Sequence, residues 1–399
     1  MKILLVGLYY FPKIGGVENS LKSIAKELIS LGHEVAILTL DSTTNRKQID
    51  LVEGVKVFRF PLKASVIPPL THKRIKDKAR VAFDEVILDF SPDQIWTRNS
   101  IVASGLLLNS KVKHIKHIFS TSSRLNIDGL YNNIKDNTYP RRLIIKFIKL
   151  MDYLSLFNID KVLLKSNRVT PFVFSSMMRE QILNEHKIIK KNIRVVKPGV
   201  DRSLFNRNTE RKNQLISKYN YLEDKYFLYV GRVANSKNVD ILIDSIKLIK
   251  KLNLVIVGEG PQLNDLQERV AKYHLTDRVF FMGSQKEDLP LIYTLAEVTV
   301  LPTKIETFGQ VLIESLSCGT PVIGFGENTI FKTAVSEIII DENYGKIVNN
   351  FSPFSLSNAI VAYENLSAKD KEIIAKKNTK YVSDVFNWKN TVELILNDK

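Results

Sequence analysis

The sequence is short of cysteine. Cys318 is the only one in 399 residues, which excludes an intramolecular disulfide and any zinc site built on cysteine, and favours a reducing compartment. No uninterrupted apolar run approaches the ~18 residues that a membrane-spanning helix needs. The opening MKILLVGLYYFP carries one basic residue and no small-residue cleavage site, and it runs straight into Pro12 and Gly15-Gly16. A buried first strand is therefore expected there in place of a signal peptide. Several chemical signatures are missing too. There is no Gly-x-Gly-x-x-Gly turn followed by an acid about 20 residues on, which disfavours dinucleotide redox chemistry. A Walker-type phosphate loop and a His-Glu-x-x-His metal helix are absent. So is any Asp-x-Asp pair, so a metal-clamped diphosphate has no obvious ligands.

What is present points to two domains of about 200 residues each, given 44% hydrophobic and 25% charged residues over this length. The net charge of +16 is one-sided: of 58 basic and 42 acidic residues, 33 and 17 fall within residues 1–200, leaving 25 of each in the remainder. A basic half suits an acidic partner, such as a membrane surface or a phosphate-bearing acceptor. No nucleic-acid-binding motif accompanies the charge, so nucleic acid is not an expected partner.

The chain is organised around Val298 to Val322, VTVLPTKIETFGQVLIESLSCGTPV. The β-branched run Val298 to Leu301 predicts a strand that Pro302 ends. Gly309 permits a tight turn into a helix over Gln310 to Ser317, Gly319 stops it, and a strand restarts at Val322. Glu306 falls in the loop and Glu314 on the helix. Free N–H groups at such a helix start attract phosphate, so the stretch reads as a nucleotide-sugar site.

The rest alternates strands with helices. Lys2 to Leu8, a loop with Gly15-Gly16, a helix over Val17 to Leu31 and a strand over Glu34 to Leu40 form a βαβ opening. Further strands are expected at Val55 to Phe60, Gln94 to Thr97, Lys116 to Ser120, Thr170 to Ser175 and Ile193 to Val196. A helix from Pro140 to about Phe157 places Arg142, Lys146, Lys149 and Tyr153 on one face. Burial with one wet stripe is the leading expectation for it, and insertion at a membrane interface the lesser one. Pro198-Gly199 marks a domain boundary. Beyond it, Tyr226 to Val230, Leu254 to Val257 and Val279 to Met282 repeat the pattern, and a last helix covers Asn387 to Leu396. The fold class is α/β, with two doubly wound parallel sheets. Such a pair suits group transfer from a nucleotide donor, redox or ligand binding, and the missing glycine fingerprint argues against redox. Arg232 and Lys237, five apart at a strand-to-helix loop, could neutralise a diphosphate leaving group without metal.

Taken together, Gly15-Gly16, Val230-Gly231-Arg232, Lys237-Asn238, Gly258-Glu259-Gly260-Pro261, Glu306-Thr307-Phe308-Gly309 with Glu314, and Cys318-Gly319-Thr320-Pro321-Val322 resemble the retaining glycosyltransferases of family 4. Gly32-His33-Glu34-Val35, Lys197-Pro198-Gly199-Val200-Asp201 and Phe386-Asn387-Trp388 extend the resemblance over nearly the whole chain. It implies the GT-B fold, two Rossmann-like domains facing across a cleft. Residues 1–197 would bind the acceptor, 198–383 would bind the nucleotide sugar, and a terminal helix over about 384–399 would pack back on the first domain.

The resemblance also implies roles. Glu306 would face the transferred sugar and stabilise charge at its anomeric carbon, and Glu314 would hold the ribose hydroxyls. Backbone N–H groups of Phe308, Gly309, Gln310 and Val311 would contact sugar and phosphate. Arg232 and Lys237 would neutralise the departing diphosphate, with the Gly15-Gly16 loop touching it from the other domain. No metal and no cofactor beyond the nucleoside-diphosphate sugar donor is implied. The expected activity is transfer of a hexose-type sugar, with retained configuration, to a glycan, lipid-linked or other small acceptor, as in bacterial surface polysaccharide or glycoconjugate synthesis. An epimerase or a catalytically silent binder on the same fold is the alternative. The expected setting is cytoplasmic, with peripheral contact to an anionic inner membrane face through the basic half. Two departures from the family stand out. Where relatives often carry a histidine near the sugar, this chain has Thr121-Ser122-Ser123-Arg124, so Ser122 or Ser123 is a candidate replacement, while His114 and His117 are expected to be structural. Gly324-Phe325-Gly326-Glu327-Asn328 also differs from the usual glycine pair, so the loop through Glu337 is expected to treat the donor sugar differently.

Overall fold

The structure is a computed structural model that describes residues 1–13, 15–40, 47–62, 67–123, 139–187, 192–328 and 330–398, with the side chains of 139–142 outside the description. Arg124, one of the quoted departures, falls outside the described residues. The chain divides into two compact units, Met1–Pro198 with Trp388–Lys399, and Gly199–Asn387.

The first unit is built on one eight-stranded sheet, in the order β3-β4-β2-β1-β5-β6-β7-β8. Its strands are β1 Lys2–Gly7, β2 Glu34–Thr39, β3 Gln48–Val52, β4 Val55–Arg59, β5 Gln94–Thr97, β6 Ile115–Ile118, β7 Val169–Val173 and β8 Arg194–Val195. All pairings are parallel except β3 with β4. A sheet covered on both faces must be apolar on both, and the strands alternate accordingly. Leu4, Val6, Ala36 and Leu38 join the core under helices Pro68–Asp89, Ser100–Leu106 and Tyr139–Lys165. Ile3, Leu5, Val35 and Ile37 point the other way, onto Leu21, Ile24 and Leu28 of helix Gly16–Ser30 and onto Trp388, Val392 and Ile395 of helix Trp388–Leu396.

The second unit carries a six-stranded parallel sheet in the order β11-β10-β9-β12-β14-β16. Its strands are β9 Tyr226–Val230, β10 Asn253–Val257, β11 Val279–Phe281, β12 Val298–Leu301, β14 Val322–Phe325 and β16 Gly345–Val348. The short β13 Ile305–Glu306 and β15 Lys332–Thr333 form a separate parallel pair. Both sheets share one topology: the first strand of the unit lies in the middle, the chain winds outward on one side and returns to wind outward on the other. The carboxyl ends of the two strands at that reversal form a crevice in which ligands bind. The reversal falls between β1 and β5 in the first unit, and between β9 and β12 in the second.

Two features differ from expectation. Strand β3 was not anticipated. It is a short antiparallel edge joined to β4 by the two-residue turn Glu53-Gly54, both at positive φ, which matches the twist of a hairpin. The helix expected to be buried over 140–157 runs from Tyr139 to Lys165 and carries exposed apolar side chains between Leu143 and Leu154. Leu156, Ile159, Leu163 and Leu164 of its second half enter the core, but Leu143, Ile144, Phe147, Leu150, Met151 and Leu154 are exposed. The helix packs chiefly against helices Pro68–Asp89 and Ser100–Leu106, and its core residues lie in its carboxyl-terminal half.

Candidate functional site

Strand β12 ends at Leu301, and the chain passes through Pro302 to β13, where Glu306 pairs with Thr333. Gly309 then caps helix Gln310–Ser317 at φ 99°, a left-handed conformation that a side chain would strain. A Cβ there would also lie 3.2 Å from Leu312. Among the described residues, the backbone N–H groups of Phe308, Gly309, Gln310 and Val311 have no hydrogen-bond acceptor, as the first turn of a helix requires. The Gln310 amide donates to the Gly199 carbonyl at 2.9 Å, and Phe308 is buried edge-on against Phe386. The side chains of both residues are therefore structural, and only their backbone is available to a ligand.

The loop after β9 supplies the cations. Lys237 closes a short 3₁₀ turn, Asn235–Lys237, and its ammonium lies 2.9 Å from the Glu306 carboxylate, 69 residues away in sequence. Both side chains are partly buried, so the pair is better sheltered from water than a surface ion pair. Arg232 is exposed and forms no ion pair among the described residues. Its loop is nonetheless rigid, because the Gly258–Gly260 loop packs directly on its backbone. A Cβ on Gly258, at φ 136°, would stand 1.9 Å from the Gly231 carbonyl oxygen. The Gly231 N–H donates to Val257 O at 3.0 Å and the Val233 N–H to Glu259 O at 2.9 Å. The two glycine loops quoted from the sequence are thus one structure at the sheet's reversal.

Glu314, one turn along the helix, is half-buried and accepts a hydrogen bond from the Tyr293 hydroxyl at 3.2 Å. Burial raises its pKa to about 8, against which the Tyr293 bond acts in the opposite direction. Tyr293 is not among the residues singled out from the sequence, and Asn238 entered only as the neighbour of Lys237 in the resemblance. Asn238 takes a left-handed conformation and reaches the Pro302 carbonyl at 3.4 Å, tying the β9 loop to the β12 loop. Neither has a local signal, since each is defined by a distant partner.

In the first unit, Gly15 precedes helix Gly16–Ser30 in an extended conformation, and a Cβ on Gly16 would meet nothing within 4 Å. Ser122 and Ser123 are buried, and the Ser123 hydroxyl donates to Asp160. His117 is fully buried, hydrogen-bonded to Thr97 at 2.6 Å and Ser100 at 3.2 Å, and burial lowers its pKa to about 3. His114 bonds Thr170 at 2.8 Å. Among the described residues, no three His, Cys, Asp or Glu side chains gather so as to hold a metal ion.

Residues 210–381 match the sequence model of the family described as Glycosyl transferases group 1, and residues 14–204 that of Glycosyltransferase Family 4. An alpha-monoglucosyldiacylglycerol synthase of Streptococcus pneumoniae is 26% identical over 377 residues, covering 89% of this chain and 77% of the relative. Sucrose-phosphate synthase from Thermosynechococcus elongatus superposes with a TM-score of 0.76 at 20% identity, over 99% of this chain and 97% of that one. An Anabaena protein solved in complex with UDP and glucose superposes with a TM-score of 0.70 at 15% identity, over 99% and 98%. At these identities the structural likeness is one of fold, the GT-B architecture of two Rossmann-like units.

Proposed function

The chain belongs to glycosyltransferase family 4 and is a glycosyltransferase, and from that premise we propose that it moves a hexose-type sugar from a nucleoside-diphosphate sugar to an acceptor hydroxyl, retaining configuration and using no metal. The observation that carries this reading is the Lys237–Glu306 pair, a few residues before four backbone N–H groups that lack acceptors among the described residues. In this proposal the donor diphosphate draws Lys237 from Glu306 and is further neutralised by Arg232 and the helix-start N–H groups, the work a metal would otherwise do. Glu306, released, faces the sugar and stabilises positive charge at the anomeric carbon. Glu314 takes the ribose hydroxyls. The anomeric carbon–oxygen bond breaks with its electron pair passing to the diphosphate. The acceptor oxygen bonds to the same face of the carbon, and its proton passes to the departing phosphate oxygen.

We further propose that the acceptor is presented at an anionic membrane surface, with the chain on the cytoplasmic side. The basic excess within residues 1–200 and the six exposed apolar side chains from Leu143 to Leu154 support this, as interfacial helices combine such features. No helix among the described residues is long and apolar enough to cross a membrane. The deciding experiment incubates the full chain with UDP-, GDP- and ADP-sugars, with and without glycan or lipid acceptors, and reads products by mass spectrometry. The proposal expects nucleotide release that depends on acceptor. Efficient acceptor-independent isomerisation of the donor would make it an epimerase, and nucleotide binding without turnover a silent binder.

A further inference from the structure

A cavity of about 80 Å³ lies beside the reversal point of the first sheet, at the carboxyl ends of β5 and β6, lined by Arg98, Asn99, Ser100, Ser120, Thr121 and Asp160 among others. Arg98 is 95% buried, with 5% exposure, and is held in place from every side. Its backbone N–H donates to Val6 O at 2.9 Å, its carbonyl accepts from the Ser120 hydroxyl at 2.9 Å, and its guanidinium lies 4.3 Å from the Phe174 ring centre. Yet its Nε and Nη1 have no hydrogen-bond partner among the described residues. Glu18 is the acid whose field reaches it, with no ion pair formed among the described residues. Burying a guanidinium with unfilled donors is unfavourable by several kcal/mol unless something completes it. His117 does not compete as a cation, being neutral, and the opposing carboxyl of Asp160 is occupied by the Ser123 hydroxyl.

We infer that this cavity binds an oxyanion, a carboxylate or phosphoryl group carried by the acceptor, with Arg98 as the charge that selects it. A charge-assisted bond to guanidinium is the strongest contact such a cavity can offer an oxyanion. Only the naming of the acceptor as carrier rests on the transferase reading. The anion site itself stands on Arg98. Asp160 modulates it: burial raises its pKa to about 7, with Ser123 and Ser100 as hydrogen-bond donors, and Glu185 adding to the rise. Anion binding should therefore weaken as pH rises through about 7 and Asp160 ionises.

The test is titration calorimetry on the full chain with sulfate, acetate or glycerol at matched ionic strength. A Lys237→Ala background removes one cation of the donor site. Saturable binding of sulfate over acetate indicates a phosphoryl acceptor, the reverse a carboxylate one, and glycerol should not bind. Adding Arg98→Gln should weaken binding about tenfold or more. Asp160→Asn should strengthen it above pH 7 and flatten its pH dependence, which keeps the test decisive if Arg98→Gln fails to fold. No saturable anion binding, an affinity unmoved by Arg98→Gln, or an unchanged pH profile in Asp160→Asn would overturn the inference. Anion binding that persists while every nucleotide sugar fails to bind would remove the transferase reading and leave the site.

Discussion

If Glu314 holds ribose hydroxyls as a carboxylate, nucleotide affinity must depend on pH in a way set by its burial. Burial raises its pKa to about 8 from an ordinary 4.5, so about a tenth of the chains carry the ionised form at pH 7 and about three-quarters at pH 8.5. A ligand that binds only one form has its apparent affinity scaled by that fraction. Affinity for UDP, or whichever nucleoside diphosphate the chain prefers, should then rise about eightfold over this range, or ~1.2 kcal/mol. Calorimetry in buffers of different ionisation enthalpy should detect about 0.9 proton released per nucleotide at pH 7. Glu314→Gln should bind weakly and show neither effect. Affinity that is flat or falling in the wild type would refute the role given to Glu314. Stability moves the other way. The folded carboxyl keeps its proton where the unfolded one has lost it. This group's contribution is therefore complete below about 4.5 and is lost as pH rises through about 8.

Further consequences are as direct. Lys237→Ala and Glu306→Gln should each lower kcat by about 10²–10³ with an unchanged circular dichroism spectrum, and wild-type turnover in either would remove the residue from the machinery. Gly258→Ala should destabilise the second unit by about 3–5 kcal/mol, since a Cβ 1.9 Å from the Gly231 oxygen forces two loops apart. Scanning calorimetry should show a fall in Tm on the order of 10 °C, and a wild-type Tm would mean the loops are not locked. The chain should co-sediment with vesicles containing anionic lipid, less so at high salt or in the triple variant Ile144→Ser, Phe147→Ser, Leu150→Ser. Indifference to lipid charge, salt and those substitutions would exclude the membrane surface.

The strand Val298–Leu301 and helix Gln310–Ser317 lie over the residues predicted for them, because a β-branched run, Pro302, Gly309 and Gly319 are local signals that tertiary packing had no reason to override. The Rossmann-like alternation was legible for the same reason, through apolar runs bounded by glycine. The pairing of Lys237 with Glu306 and of Tyr293 with Glu314 was not, since no spacing rule connects side chains 69 or 21 residues apart. Arg98 gave no signal either: an arginine after a strand looks like any surface cation until the neighbouring strands and Phe174 close over it. Helix Tyr139–Lys165 failed differently. Helical spacing says which side chains share a face, and only the elements packed on the helix decide which part of its surface is covered.

The central claim is that the second unit activates a nucleotide sugar for transfer with retained configuration. Water can replace the acceptor in that reaction, so it can be followed by proton NMR with the full chain and its preferred donor alone, before mutarotation scrambles the product. The account predicts that the sugar first released has the donor's own anomeric configuration, and that Glu306→Gln abolishes its release. Release of the opposite anomer, or undiminished release by Glu306→Gln, would contradict it.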